Sequence, residues 1–194
     1  MPETSNPQAI EITERLKEMV ARTGAELYGG EAVTQEQHAL QCAQLAEDED
    51  APPALIVAAL LHDIGHLFEE TFELGLEQHE DLFHEDLGEK LLAQWFGPEV
   101  TEPVRLHVAA KRYLCAVDKT YADTLSPASQ HSMMLQGGPM SPEDVAAFES
   151  ERFSEDAVRL RRWDDRGKDP AMKTADLEHF LGYVARCAKP APVA

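Results

Sequence analysis

The sequence predicts one all-α domain, a helical bundle, and three features support this prediction. Apolar residues recur with a period near 3.6 in several segments, which is typical of amphipathic helices. The most apolar stretch, residues 54–61, contains three alanines and three leucines, so it favours a buried helix over a buried strand. No segment alternates apolar and polar residues as a half-buried strand does.

The elements follow one another at short intervals along the chain. A first amphipathic helix is predicted over residues 8–22, followed by a glycine-containing turn at 24–30. Thr34 and Gln37 have the spacing of a capping box, which opens the second helix. An acidic turn ending in two prolines precedes the central helix at 54–61. Later helices are predicted roughly over residues 84–96, 99–116, 141–150, 154–164 and 174–187. A loop at 135–140 precedes Ser141-Pro142-Glu143, which is a good N-terminal helix start. Residues 1–194 are interpreted as a single domain with loose tails at 1–7 and 188–194.

Composition limits the class of partner. Acidic residues outnumber basic ones by 36 to 17, and the net charge of −19 argues against nucleic acid and anionic membranes as partners. A small anionic substrate stays open if basic residues converge locally. No stretch approaches the roughly 18 apolar residues of a membrane span, and the N-terminus does not resemble an export signal. Three cysteines without a CxxC pair indicate a reducing compartment, so we expect a cytoplasmic protein of unknown oligomeric state.

A set of histidines and aspartates indicates a metal site. His62 and Asp63 end the most apolar helix, where such a pair is costly unless a metal or a strong partner compensates it. A single histidine is usually structural, but bundles build internal metal sites from ligands on separate helices. The candidate ligands come from several predicted helices and are His38, His62, Asp63, His84, His107 and Asp164.

These residues resemble a known family. The pattern His…His-Asp…Asp is the signature of HD domains, and residues 60–66 read Leu-Leu-His-Asp-Ile-Gly-His, which is typical of it. The sequence around these residues is similar to that of the PhnZ-type phosphonate oxygenases, which contain a mixed-valent di-iron centre. The resemblance covers about residues 24–170 and rests on Tyr28-Gly29-Gly30-Glu31, residues 107–114, 125–129 and 136–140, and Trp163-Asp164-Asp165-Arg166-Gly167-Lys168.

The resemblance implies how the site is organised. One iron, of the Fe(II)/Fe(III) pair, would be held by His38, His62, Asp63 and Asp164, and the other by Asp63, His84 and His107, with Asp63 shared. It also implies that Tyr28 occupies an open iron position until substrate arrives and that Glu31 contacts the substrate. From the residues alone, Tyr28 could equally pack across a glycine-rich turn.

Basic residues near these ligands predict an anion site. Lys111 lies four residues after His107 and Arg161 three before Asp164, so each shares a helical face with its ligand. Arginine pairs bidentately with phosphonate oxygens. The alternative for both is an ordinary surface cation. Ser126 and Gln136 are added as phosphonate contacts by the resemblance alone.

Two histidines, His79 and His84, are alternative matches to one metal-ligand position of the family. Residues 78–80 and 83–85 both place a histidine before a glutamate, and the helical continuation after His84 favours it as the ligand. His79 is then either a residue lining the pocket near a substrate cation or a bystander.

The resemblance therefore implies an enzyme, a di-iron oxygenase that uses O2 to cleave the C–P bond of a 1-hydroxy-2-(amino or trimethylammonio)ethylphosphonate. Its products would be phosphate and glycine or glycine betaine. The same ligands would also serve a metal-dependent HD phosphohydrolase acting on phosphate monoesters. A third possibility is a degenerate HD domain that acts as a sensor or interaction module.

Overall fold

The protein is a bundle of α-helices in the part of the chain that the structure describes. The computed structural model describes residues 6–69 and 84–191, with the backbone alone at 67–69. These ranges contain no β-strand, only one isolated bridge between Leu27 and Thr34. The all-α prediction is confirmed. In chain order the helices are α1 Pro7–Thr23, α2 Gln35–Asp48, α3 Pro53–Leu61, α4 Ile64–Glu69, α5 His84–Leu92, α6 Pro98–Val117, a 3-10 helix Tyr121–Thr124, α7 Pro127–Leu135, α8 Pro142–Ser150, α9 Ser154–Arg166 and α10 Leu177–Cys187.

Helix α3 is central, as predicted. Every residue from Leu55 to Leu61 is buried, because α2, α6, α9 and α10 pack around it on different sides. Pro53 occupies the first turn of α3, where its missing N–H costs no helical hydrogen bond. The helix ends at Leu61 and His62 is its C-cap, so the chain passes from the apolar core directly into the candidate metal ligands.

The predicted capping box opens α2. The Thr34 hydroxyl accepts a hydrogen bond from the Gln37 backbone N–H at 3.2 Å, and the Gln37 side chain accepts one from the Thr34 N–H at 2.9 Å. Before it, Gly29 and Gly30 both have positive φ, at 48° and 82°, which non-glycine residues adopt at a cost. The turn that carries Tyr28 and Glu31 therefore depends on this glycine pair.

The structure departs from the predicted boundaries in several places. Helix α5 ends at Leu92 rather than 96, and α10 begins at Leu177, where Asp176 caps it. Helices α4 and α7 and the 3-10 helix were not predicted, because they are short and lack a clear apolar period. The Ser126-Pro127 start of α7 matches the Ser141-Pro142 start of α8, which the sequence analysis did recognise.

The inner ends of the predicted loose tails are packed. Asn6 caps α1, and its side-chain amide donates to the carbonyls of Ala188 and Lys189 at 3.3 and 2.9 Å. The Lys189 N–H also donates to the Trp95 carbonyl. Residues 6, 188 and 189 therefore contact the folded chain, while residues 1–5 and 192–194 lie outside the described residues. Among the described helices, none has the length and apolarity of a membrane span.

Candidate active site

Four helices bring two pairs of histidines together in the core. His38 on α2 and His62 at the end of α3 have their Nε2 atoms 3.2 Å apart. His84 on α5 and His107 on α6 have theirs 3.1 Å apart. All four side chains are buried. The structure thus assembles the four histidines that the sequence analysis singled out.

The hydrogen bonds of the outer ring nitrogens favour a cation site between the two Nε2 atoms of a pair. The Nδ1 atoms of His38, His62 and His107 lie 2.8, 2.9 and 2.7 Å from the backbone carbonyl oxygens of Gly167, Ala59 and Val104. A carbonyl only accepts, so each Nδ1 carries the proton and each neutral Nε2 presents a lone pair. In the first pair, two lone pairs face each other at 3.2 Å, an arrangement that is repulsive without a bound cation.

Asp63 lies between the two histidine pairs with one oxygen directed to each. Its Oδ2 is 3.7 Å from His38 Nε2 and 3.4 Å from His62 Nε2, and its Oδ1 is 3.5 Å from His84 Nε2 and 3.6 Å from His107 Nε2. Oδ2 is buried without a hydrogen-bond partner. A carboxylate placed in this way can bridge two cations and reduce their mutual repulsion.

Asp164 on α9 completes the first group. Its Oδ1 lies 3.6 Å from His38 Nε2 and is also buried without a hydrogen-bond partner. Its Oδ2 accepts from Arg161 at 2.7 Å. Burial opposes ionisation of Asp164, but Arg161 and Lys168 outweigh it and hold its pKa well below the usual range. The side chain is therefore an anion with one oxygen free for a metal.

Cys42 is a competing donor near the first pair. Its Sγ lies 3.7 Å from His38 Nε2, and it can be grouped with His38 and His62 as a possible ligand set. Burial raises the pKa of the thiol well above its ordinary value, so it is protonated and a poor ligand. Asp164, an anion with an unpaired oxygen, fits a hard or borderline cation better.

Burial also keeps three of these histidines neutral. It lowers the pKa of both His38 and His107 to about 4, and it lowers that of His84 as well. A neutral imidazole is the form that binds metal. The donor set, the facing lone pairs and the unpaired carboxylate oxygens therefore fit bound metal. The assignment of two ions to these ligands stays a prediction.

Tyr28 covers the first group. Its ring stacks on the His38 ring with centroids 3.8 Å apart and planes 12° from parallel. Burial and the charges of Asp63 and Asp164 raise the pKa of the Tyr28 hydroxyl well above 10, so it is a neutral phenol. The Tyr28 ring packs on His38, and its hydroxyl is close enough to Asp63 and Asp164 to be affected by their charges. A packing role and a place beside the metal ligands are therefore compatible.

Glu31, on the same turn, contacts Ser126 and Lys168. Ser126 donates its hydroxyl hydrogen to Glu31 Oε1 at 2.5 Å, and Lys168 Nζ lies 3.7 Å from the same oxygen. Lys168 also donates to the Ser129 hydroxyl at 2.9 Å and lies 3.8 Å from Asp164. Lys168 thereby links the turn, α7 and a candidate ligand.

A polar cavity of about 390 Å³ adjoins the second histidine pair. Lys111, Arg161 and Lys168 contribute cationic groups to it, and the Oε1 of Gln136 is buried there without a hydrogen-bond partner. Its size suits a small organic ligand. The described residues that line it are Glu26, Tyr28, Gly29, Glu31, Gln35, Asp63, His66, His84, His107, Val108, Lys111, Ala128, Ser129, Ser132, Gln136, Arg161, Asp164 and Lys168.

Lys111 and Arg161 are both buried, at 3% exposure each, which argues against ordinary surface cations. Lys111 donates to the Ser132 hydroxyl at 2.9 Å, and burial and Arg161 lower its pKa to about 8. The Arg161 guanidinium is held by Asp164, Asp165 and the Tyr121 hydroxyl. Ser126 differs from expectation, since it is not among the described residues lining the cavity and instead hydrogen-bonds Glu31.

Sequence reasoning missed several residues of this site. Lys168 lies inside the quoted Trp163–Lys168 motif, and its position four residues after Asp164 could have indicated it. Ser129 and Ser132 lie one turn apart on α7, a helix that was not predicted. Tyr121 and Asp165 act through Arg161, which no spacing reveals. His66 lines the cavity and stacks on His84 at 4.0 Å, while His79 lies outside the described residues.

The chain is similar to one family model and to three known proteins. Residues 36–156 match the family model of the HD domain. The chain is 47% identical over 173 residues to the hydroxymethylphosphonate dioxygenase of Gimesia maris, covering 89% of this chain and 86% of that protein. It is 43% identical over 185 residues to the glycine-betaine-forming [1-hydroxy-2-(trimethylamino)ethyl]phosphonate dioxygenase of Leisingera caerulea, covering 95% and 94%. An uncharacterised mimivirus protein, L432, is 32% identical over 89% of this chain.

Proposed function

The chain belongs to the HD-domain family, within the group that includes these dioxygenases, and we propose that it is a di-iron, O2-dependent oxygenase of 1-hydroxyphosphonates. The observation that carries the proposal is the pair of histidine clusters sharing Asp63, beside a cavity that contains Lys111 and Arg161. The substrate we propose is a 1-hydroxy-2-(amino or trimethylammonio)ethylphosphonate.

The geometry of the side chains supports the proposed metal ligands. His38, His62, Asp63 and Asp164 would hold one iron, and Asp63, His84 and His107 the other. Mixed-valent iron would supply the redox chemistry that activates O2, which side chains cannot do alone. The backbone carbonyls of Gly167, Ala59 and Val104 hold three of the imidazoles in the tautomer that ligation needs.

The cationic side chains bind and orient the phosphonate. Lys111 is directed into the cavity from the same helix as His107, and Arg161 from the same helix as Asp164. A phosphonate held by both cations would place its 1-hydroxyl carbon beside the metal ligands. Gln136, with its unpaired Oε1, is suited to accept a hydrogen bond from a protonated oxygen or amine of the ligand.

The turn that carries Tyr28 and Glu31 excludes water from the site and binds the amino or trimethylammonio group of the substrate. Glu31 contributes a carboxylate to the cavity, and Glu26 lies on the same side of the chain before the turn. An ammonium group is attracted to carboxylates. The Tyr28 ring is already engaged by the His38 ring and by Lys168, whose Nζ lies 5.7 Å from its centroid, so the carboxylates carry this role. Ser126, through its hydrogen bond to Glu31, would act on the amine end rather than on the phosphonate.

The proposed reaction balances with O2 as the only co-substrate. The phosphonate carries three oxygens on phosphorus and one on carbon, whereas phosphate and a carboxylate carry four and two. Cleavage of the C–P bond therefore takes up both atoms of O2, one into each product, and releases one proton. The carboxylic product is glycine from the amino substrate and glycine betaine from the trimethylammonio substrate.

Aerobic turnover by the iron-loaded enzyme tests the proposal. The protein is supplied with the amino and trimethylammonio hydroxyphosphonates and with hydroxymethylphosphonate, which has no amine. We expect phosphate release, one O2 consumed per phosphate, and one ¹⁸O atom from ¹⁸O2 in each product. The two amine-bearing substrates should give the higher kcat/KM, and Glu31→Gln should lower it for them but not for hydroxymethylphosphonate.

The same experiment under argon distinguishes the phosphohydrolase. A hydrolase takes its oxygen from water and releases phosphate from phosphate monoesters without O2. Phosphate release that is equal under argon and air, or no release from any of the three phosphonates, would contradict the proposed oxygenase.

A further inference from the structure

A second cavity also borders the candidate metal ligands, and its character is different. It lies between α1, α2, α3 and the first residue of α10, and its volume is about 40 Å³. Its walls are almost entirely carbon. The apolar side chains that form them are Leu16, Met19, Val20, Ala39, Leu40, Leu60, Leu61, Ile64 and Leu177.

The cavity reaches the ligands themselves. His38, His62 and Asp63 belong to its lining, so it adjoins the first histidine pair, while the polar cavity adjoins His84 and His107. The imidazole nitrogens of His38 and His62 are turned to backbone carbonyls and to each other. The rings therefore leave few polar atoms for an occupant of this cavity.

Polarity and size restrict what the cavity can hold. An ordered water needs two to four polar partners, and apolar cavities stay dry and bind apolar guests such as xenon. A volume of about 40 Å³ is roughly three times the ~10–15 Å³ that one water requires on the same measure. That leaves room for a diatomic molecule but not for an organic substrate or a peptide side chain.

The two cavities match the two substrates of the proposed reaction. The polar cavity, with Lys111 and Arg161, suits the anionic phosphonate and is blocked by it once bound. O2 is apolar and uncharged, and it partitions into carbon-lined space. We propose that the apolar cavity beneath His38 and His62 is a binding and entry site for O2, a role that rests on the proposed oxygenase function.

Access to the cavity comes from the surface of the helices around it. Val20, Gln35 and Glu36 in the lining are partly exposed, so O2 enters between α1 and the start of α2 without passing the phosphonate. Val20 lies on α1, which carries none of the candidate metal ligands. A larger side chain at this position should narrow the path without touching the metal site.

Xenon binding tests the site without any turnover. Crystals of the protein pressurised with xenon should show a xenon atom in this cavity, and Val20→Phe should remove it. Ile10→Phe is the matched control, because Ile10 is on the same helix, is 52% exposed and does not line the cavity. Xenon in the cavity of the control but not of Val20→Phe supports the proposal, and a wild-type cavity without xenon overturns it.

Steady-state kinetics with varied O2 test the path. At saturating phosphonate, Val20→Phe should raise the KM for O2 by about fivefold and leave kcat at saturating O2 within about twofold, whereas Ile10→Phe should change neither. The KM for phosphonate should be unchanged in both variants, since the polar cavity is not altered.

The outcomes separate this inference from the proposed function. If the wild type cleaves phosphonate with O2 but Val20→Phe has the wild-type KM for O2, the entry role is overturned and the oxygenase stands. If the wild type consumes no O2 with any phosphonate, the oxygenase fails and the role of the cavity in O2 entry fails with it, whatever xenon shows.

Discussion

Lys111 is the side chain whose protonation should control phosphonate binding. Burial and the neighbouring Arg161 lower its pKa to about 8, so it loses its charge just above neutral pH in the free enzyme. An anionic phosphonate binds the protonated form. We therefore expect kcat/KM to fall by about tenfold per pH unit above about pH 8, measured from pH 6.5 to 10.

Two substitutions of Lys111 test whether this side chain causes the alkaline decline in kcat/KM. Lys111→Arg keeps a positive charge over the whole range and should lose the decline near pH 8, while Lys111→Gln should have a low kcat/KM without this decline. If Lys111→Gln retained the same alkaline limb as the wild type, another group would be responsible.

Tyr121 positions Arg161 without touching the cavity. Its hydroxyl accepts from Arg161 Nε at 3.2 Å and donates to Asp165, which is itself paired with Arg161. Tyr121→Phe removes both hydrogen bonds, and the loss of the one that holds Arg161 directly costs about 1 kcal/mol, roughly a fivefold change. Tyr121→Phe should raise the KM for phosphonate by about that factor and change kcat little.

Tyr113→Phe is the matched control for this prediction. The Tyr113 hydroxyl donates to Glu149 at the surface, away from the guanidinium. Equal effects of the two substitutions would show that the change at Tyr121 is not transmitted through Arg161.

At the scale of helices, the second histidine pair depends on the close approach of α4 and α5. A Cβ atom at Gly65 would lie 2.1 Å from the His84 backbone oxygen and 2.8 Å from its carbonyl carbon, a contact that only glycine permits. Gly65→Ala must push the start of α5 away, and His84 with it. We expect the metal content to fall from about two ions per chain to about one, because the His38 group is on other helices.

Gly182→Ala provides the control, since Gly182 lies in α10 with nothing within 4 Å of the added Cβ. It should keep both metals and gain up to about 1 kcal/mol of helix stability. Metal analysis should be accompanied by circular dichroism, which shows whether Gly65→Ala keeps its helices. Two tightly bound metals in a folded Gly65→Ala variant would contradict the dependence on this contact.

The sequence predicted those elements whose signal is local. The α2 capping box, the apolar α3 and the proline start of α8 all carry their cause in a few adjacent residues. Helix α7 has no such apolar period, and so Ser129 and Ser132 were missed as cavity residues. The partnership of Ser126 with Glu31 spans 95 positions and depends on tertiary packing, so it became visible only in the structure.

At the scale of the whole molecule, the metals should contribute to folding as well as to chemistry. Without cations, the core contains the anions Asp63 and Asp164, each with an oxygen that lacks a hydrogen-bond partner, and imidazole lone pairs facing each other at 3.2 Å. Metal ions that bind the folded chain but not the unfolded one stabilise it by about 4 kcal/mol at a thousandfold excess over the dissociation constant.

Removal of the metals should therefore lower the melting temperature substantially. For a domain of this size, about 4 kcal/mol corresponds to a shift of about 8–16 °C. Differential scanning calorimetry of the iron-loaded and chelator-treated protein measures it. A variant with His62→Ala and His107→Ala, which lacks one ligand from each pair, should melt at the same temperature with and without chelator. If the wild type melted at the same temperature with and without chelator, the folded chain would gain no stability from a bound cation. The facing histidine lone pairs would then not mark a metal site.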